Sequence, residues 1–180
     1  MADRTNTLLA FGLLAAIGAY LLMTTEKGKA IAQAAIDVGS NVVGDILNGP
    51  RGIRNNNPGN IVRSGVSWVG MSPDQSSDTH FIVFNSPEYG IRAMARVLKN
   101  YIAGGYTTVQ QIINRWAPPI ENDTGAYVNA VASAMGVSPT AQIDASFLEP
   151  LIAAIIQHEN GQQPYDASLI ARGIDLEQTS

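Results

Sequence analysis

One carboxylate in this chain stands where a proton donor would stand. Ala154-Ile155-Ile156-Gln157-His158-Glu159-Asn160-Gly161 runs from an apolar segment into a glycine stop, with Pro164 just beyond. Leu148, Leu151, Ile152, Ile155 and Ile156 repeat at helical spacing, which predicts a helix from about Phe147 to Gln157 with one buried face. Gly161 is its C-cap candidate, so Glu159 falls in the last turn. Burial and the negative end of the helix dipole both disfavour a charged carboxylate there, and a carboxyl kept neutral is what a general acid needs. A solvated glutamate at a helix end is the plainer alternative.

Other side chains could handle a sugar. Arg51-Gly52-Ile53-Arg54-Asn55-Asn56-Asn57-Pro58-Gly59-Asn60-Ile61 carries an Asn triplet followed by Pro-Gly, which no regular element tolerates. Its amides at Asn55, Asn56, Asn57 and Asn60 are groups that hydrogen-bond hydroxyls and N-acetyl groups; a solvated turn is the alternative. Trp68 is either a core aromatic or a platform for a sugar ring. Glu121, beside Pro118-Pro119-Ile120, is a reserve candidate for the acid.

The elements that must position these groups are mostly helical. Val66–Gly70 and Phe81–Phe84 alternate like short strands joined by a polar connection, which predicts a small β-hairpin. Ser86-Pro87-Glu88 opens a helix whose buried face is marked by Tyr89, Ile91, Met94, Val97, Leu98 and Tyr101, with Arg92, Arg96 and Lys99 outward. Thr107-Thr108-Val109-Gln110 resembles a capping box before a short helix through Arg115. A helix follows Glu121-Asn122-Asp123-Thr124 to about Met135, with Tyr127, Val128 and Val131 inward. Asp166 caps a last helix.

Thr7 to Met23 is uncharged, almost wholly apolar and about 17 residues long, the short end of the spanning range. It reads as an N-terminal transmembrane helix at about 7–23 within an anchor of residues 1–29; a cleaved signal or a soluble helix are the alternatives. Residues 30–50 read as a helical stalk or linker, and 51–180 as the globular domain. A net charge of −4 with dispersed arginines argues against a nucleic-acid partner. The absence of cysteine excludes disulfides and thiolate metal sites, and two histidines are too few for zinc, so no metal or cofactor is expected.

Taken together, several motifs resemble the lysozyme-like peptidoglycan-cleaving enzymes, in particular lytic transglycosylases. The stretch from Ala154 to Pro164 is similar to that family's catalytic block, an apolar helix ending in Glu-Ser-Gly with a Pro soon after. The resemblance implies that Glu159 is the general acid/base and that Asn160 replaces the usual Ser. Glu121-Asn122-Asp123-Thr124-Gly125-Ala126-Tyr127-Val128-Asn129-Ala130-Val131 is similar to the family's Glu-Thr-x-x-Tyr-Val-x-x-Val block with two residues inserted, which implies that Tyr127 lines the sugar cleft. The Asn loop stands where the family has Gly-Leu-Met-Gln, and with Trp68, Gly70, Phe81, Phe84 and Ser86-Pro87 it is also similar to the Asn-rich region of phage and bacterial glucosaminidases. In both families the Glu block comes first; here it comes last, which implies a circular permutation.

The resemblance implies a lysozyme-like α+β domain, mainly α with the small hairpin, that cuts the glycan strand with one Glu, as acid and then as base. A hydrolase would need a second carboxylate; Glu121, Asp123, Asp74 and Asp78 are candidates without a compelling position. The expected partners are peptidoglycan, a lipid bilayer through residues 7–23, and other virion or envelope proteins. The expected setting is a phage virion membrane or a bacterial envelope, where the domain opens the wall locally. The rival readings are a structural virion membrane protein with an inactive domain, and a glycan-binding module that uses Trp68, Trp116 and the Asn loop.

Overall fold

The computed structural model describes residues 49–118 and 123–178. The residues from Gly49 onward form one compact unit. Its elements are α1 (Arg51–Arg54), α2 (Pro87–Ala103), α3 (Val109–Trp116), α4 (Thr124–Met135), α5 (Leu148–Asn160), which a 3-10 turn (Ala145–Phe147) precedes, and α6 (Ala167–Gln178).

Local chemistry sets the boundaries. Pro87 fills the first position of α2, where its missing N–H costs nothing. Thr108 and Gln111 form a reciprocal capping box at α3, one residue later than the sequence suggests. The Asp123 side chain accepts from the Ala126 N–H at the start of α4, and Asp166 accepts from the Leu169 N–H at the start of α6. Gly136 and Gly161 end α4 and α5 in the left-handed conformation.

The main core gathers apolar faces from five helices. Ile91, Met94 and Leu98 of α2, Ile112 and Ile113 of α3, Val131 of α4, Leu151, Ile152, Ile155 and Ile156 of α5 and Ile170 of α6 meet in it. Helices α2 and α6 pack closest. At Gly173 an added Cβ would sit 2.5 Å from Ile91 Cγ2, so only glycine permits that approach.

The expected hairpin is not there. The described residues contain no strand, only isolated antiparallel bridges at Val62–Phe81, Met71–Phe84 and Thr108–Gln142. The expected lysozyme-like α+β class is therefore corrected to a mainly helical fold. The physical reason lies in the Asn loop. Asn57 Nδ2 donates to the carbonyls of Ile61 and Ile82 (both 2.9 Å) and its Oδ1 accepts from the Ile61 N–H. Asn56 Nδ2 donates to Phe84 O, while the Phe84 N–H donates to Asn55 O. Gln75 brackets Val83 from the other side, accepting from its N–H and donating to its carbonyl. Side-chain amides thus take several of the positions along Phe81–Phe84 that a neighbouring strand would occupy, and scattered backbone bonds take the others without forming a ladder.

Two further expectations change. No helix among the described residues is long and apolar enough to cross a membrane; the span expected at 7–23, and all but the last two residues of the stalk expected at 30–50, lie outside the described residues. Arg92, expected on an outer face, is buried at 6% exposure.

Candidate active site

Glu159 is the penultimate residue of α5 and half-buried. Three neutral donors from three separate parts of the chain hold its carboxylate. The Tyr127 hydroxyl of α4 donates to Oε1 at 2.7 Å. Trp116 Nε1, at the end of α3, donates to the same oxygen at 3.2 Å. Asn60 Nδ2 donates to Oε2 at 3.0 Å. The carboxylate lines a cleft of about 400 Å³ whose other walls include Asn60, His80, Phe81, Tyr101 and Trp116. No second acid lines that cleft among the described residues.

Two of these donors are themselves anchored. Tyr127 is 4% exposed, and its ring stacks on His158 with centroids 3.6 Å apart. Burial, followed by the negative charge of Glu159, raises the tyrosine pKa far above its ordinary range, so the hydroxyl remains a donor. Asn60 adopts a positive φ of 50°, a conformation that asparagine tolerates better than most residues. Its turn is tied to α5 by Asn160 Nδ2, which donates to the carbonyls of Pro58 (2.8 Å) and Ile156 (2.9 Å). Asn60 Oδ1 and Asn160 Oδ1 are buried without hydrogen-bond partners. Both face Gly52, where an added Cβ would lie 2.8 and 2.5 Å from them, so its Cα–H groups are the contacts those oxygens have.

The structure divides the residues singled out from sequence. It brings together Glu159, Asn60 and Tyr127, with Asn160 beneath them as a clamp. Asn55, Asn56 and Asn57 lie elsewhere, spent on the protein itself; Asn57 is fully buried with all its hydrogen-bonding groups engaged with the backbone. Trp68 packs against Ile82, Phe84 and Ala93, away from the Glu159 cleft. Glu121 lies outside the described residues.

The candidate second carboxylates have other work. Asp78 is 5% exposed. It accepts from Arg51 Nε and Nη2 and Asn55 Nδ2 (each 2.6 Å) and from the backbone N–H groups of His80 and Phe81. Burial opposes its charge, but the Arg51 guanidinium and the other donors outweigh that and hold its pKa well below the usual carboxylate range. Asp74 accepts from the Ser76 N–H in an exposed turn, and Asp123 is the N-cap of α4. Trp116, which the sequence offers only as part of the glycan-binding reading, is the donor not expected beside Glu159. Its signal was an aromatic at the end of a short helix, directly before Ala117-Pro118-Pro119.

The arrangement can therefore exchange a proton with a bound group through one carboxyl. No known family model matches the sequence. Over 129 residues, 69% of this chain and 80% of the relative, it is 39% identical to Protein P5 of Pseudoalteromonas phage PM2. At that identity and coverage, the chain belongs to the family of this phage protein.

Proposed function

We propose that this chain is a virion-associated phage protein that cleaves the glycan strand of bacterial peptidoglycan as a lytic transglycosylase. The carrying observation is Glu159, alone among the described acids in its cleft and held by Tyr127, Trp116 and Asn60. The similarity of its helix end and of the Tyr127 block to lytic transglycosylase motifs supports the reading, and so does kinship with a phage protein.

In this mechanism Oε2, with one donor against two on Oε1, carries the proton. Glu159 gives it to the glycosidic oxygen as the bond from that oxygen to the sugar C1 breaks. The carboxylate left behind faces the positive charge that develops on the sugar ring, while its three donors keep it in place. It then takes the proton from the muramyl 6-hydroxyl, whose oxygen bonds to C1. The product is a 1,6-anhydro sugar, no water is consumed, and one carboxyl serves both steps, consistent with a cleft that shows no second acid among the described residues.

The test is digestion of purified peptidoglycan by the full chain, wild type beside Glu159→Gln, with products read by mass spectrometry. Anhydromuramyl ends from wild type alone support the proposal. Hydrated reducing ends indicate a hydrolase, and no product from folded wild-type protein favours a structural role in the virion.

A further inference from the structure

A second hollow, of about 450 Å³, is walled by Val66, Trp68, Val69, Arg92, Arg96 and Asn100, and no carboxylate lines it. Arg92 is buried, yet among the described residues its guanidinium bonds one partner, the Leu176 carbonyl at 3.2 Å from Nε. A buried guanidinium without an anion is costly. The nearby charges leave a positive surplus. Glu177 is shared between Arg96 and Lys99, which leaves Arg92 without a carboxylate among the described residues. The Trp68 indole N–H is a further donor, buried without an acceptor. Beside these donors, Val66 and Val69 stand 56% and 52% exposed, an apolar wall open to solvent. The hollow therefore suits a ligand that pairs a carboxylate with a small apolar group.

Its position identifies which ligand. Arg92, Arg96 and Asn100 form one row along α2, and Val97 and Tyr101 of the adjacent row line the Glu159 cleft. Ile61 and Val62 wall the cleft, and Val66 to Val69 wall the hollow. The two openings thus border neighbouring faces of one helix and successive parts of one segment. Resting on the glycan reading above, we propose that the hollow is a subsite for the peptide stem that branches from the muramyl sugar. It takes a terminal alanine, the methyl against Val66 and Val69 and the carboxylate on Arg92 and Arg96.

The test uses the ¹⁵N-labelled full chain and three probes: the tetrapeptide L-Ala-γ-D-Glu-meso-diaminopimelate-D-Ala, its C-terminal amide, and inorganic phosphate. The chain has two tryptophans, so the indole resonances of Trp68 and Trp116 report hollow and cleft separately. The tetrapeptide is expected to shift Trp68 and leave Trp116 in place, and the amide to bind at least tenfold more weakly. Arg92→Lys should weaken binding about tenfold. Val69→Asp, a surface change that spares the core, should abolish it by placing a carboxylate in the hollow. A Trp68 signal that does not move, an amide or phosphate that binds as well as the acid, or full binding by Val69→Asp overturns the proposal. Because binding is read without cleavage, protein that binds the tetrapeptide but cuts no glycan sinks the proposed activity and leaves the subsite standing. Protein that cuts glycan but does not bind it does the reverse.

Discussion

The Tyr127 hydroxyl lies 2.7 Å from Glu159 Oε1, joining the first turn of α4 to the last turn of α5. The two helices pack through Val131, Ile152 and Ile155 in the core, so the bond is held by burial on both sides. Tyr127→Phe keeps the ring, its burial and its stacking on His158, and removes only the donor. A hydrogen bond to a charged group contributes about 1.5–3 kcal/mol, so kcat should fall roughly ten- to a hundredfold. Turnover and thermal melting measured side by side check this: kcat drops while Tm stays within a few degrees.

Glu159→Gln should leave the fold intact, because the amide has the same shape and the residue is half-exposed. Loss of a general acid costs about 10²–10⁴ in rate. Release of glycan fragments from peptidoglycan measures it, and a variant retaining more than a tenth of wild-type activity would remove Glu159 from the chemistry.

The asparagines of one loop should separate by role. Asn57→Ala breaks three buried hydrogen bonds and should destabilise the fold by roughly 2–4 kcal/mol. Asn60→Ala removes one donor from Glu159 and should lower kcat about tenfold with a much smaller loss of stability. Urea titration with parallel kinetics distinguishes the two; equal stability losses would contradict the assignment.

Asp78 gives the fold a pH dependence of known sign. Its folded pKa lies below the unfolded value of about 3.9, so its contribution is complete above roughly pH 4–5 and is lost as the pH falls toward the folded value. Asp78→Asn should cost about 2 kcal/mol at pH 7, and the Tm gap to wild type should narrow steadily below pH 4. A constant gap across that range would show that the Arg51–Asp78 pair does not set the acid sensitivity.

How much was readable from the sequence depended on whether a residue's partner was nearby in the chain. The apolar repeat from Leu148 to Ile156 and the Gly161 stop fix the helix that ends near Glu159, because both are local signals. Asp123, Ser86-Pro87 and Asp166 mark helix starts for the same reason. The Asn triplet misled because an amide's chemistry is the same whether its partner is a sugar or a backbone carbonyl; Asn57 and Ile82 are 25 residues apart. The hairpin misled because alternation in Phe81–Phe84 reports two-sided packing, which Asn and Gln amides supply here without a strand. The burial of Arg92 escaped for want of any sequence sign that α6 would cover it, and the bond from Trp116 to Glu159 because its acceptor lies 43 residues on.

The glycine contact between α2 and α6 bears on the order of synthesis. Gly173 seats against Ile91, across more than eighty residues of intervening chain. Until α6 has left the ribosome, the face of α2 around Ile91 has no cover, while the donors at Asn60, Trp116 and Tyr127 have already emerged. The nascent protein is thus exposed to chaperones and proteases along that face until α6 follows. That cover fits closely only because Gly173 presents no methyl group to Ile91.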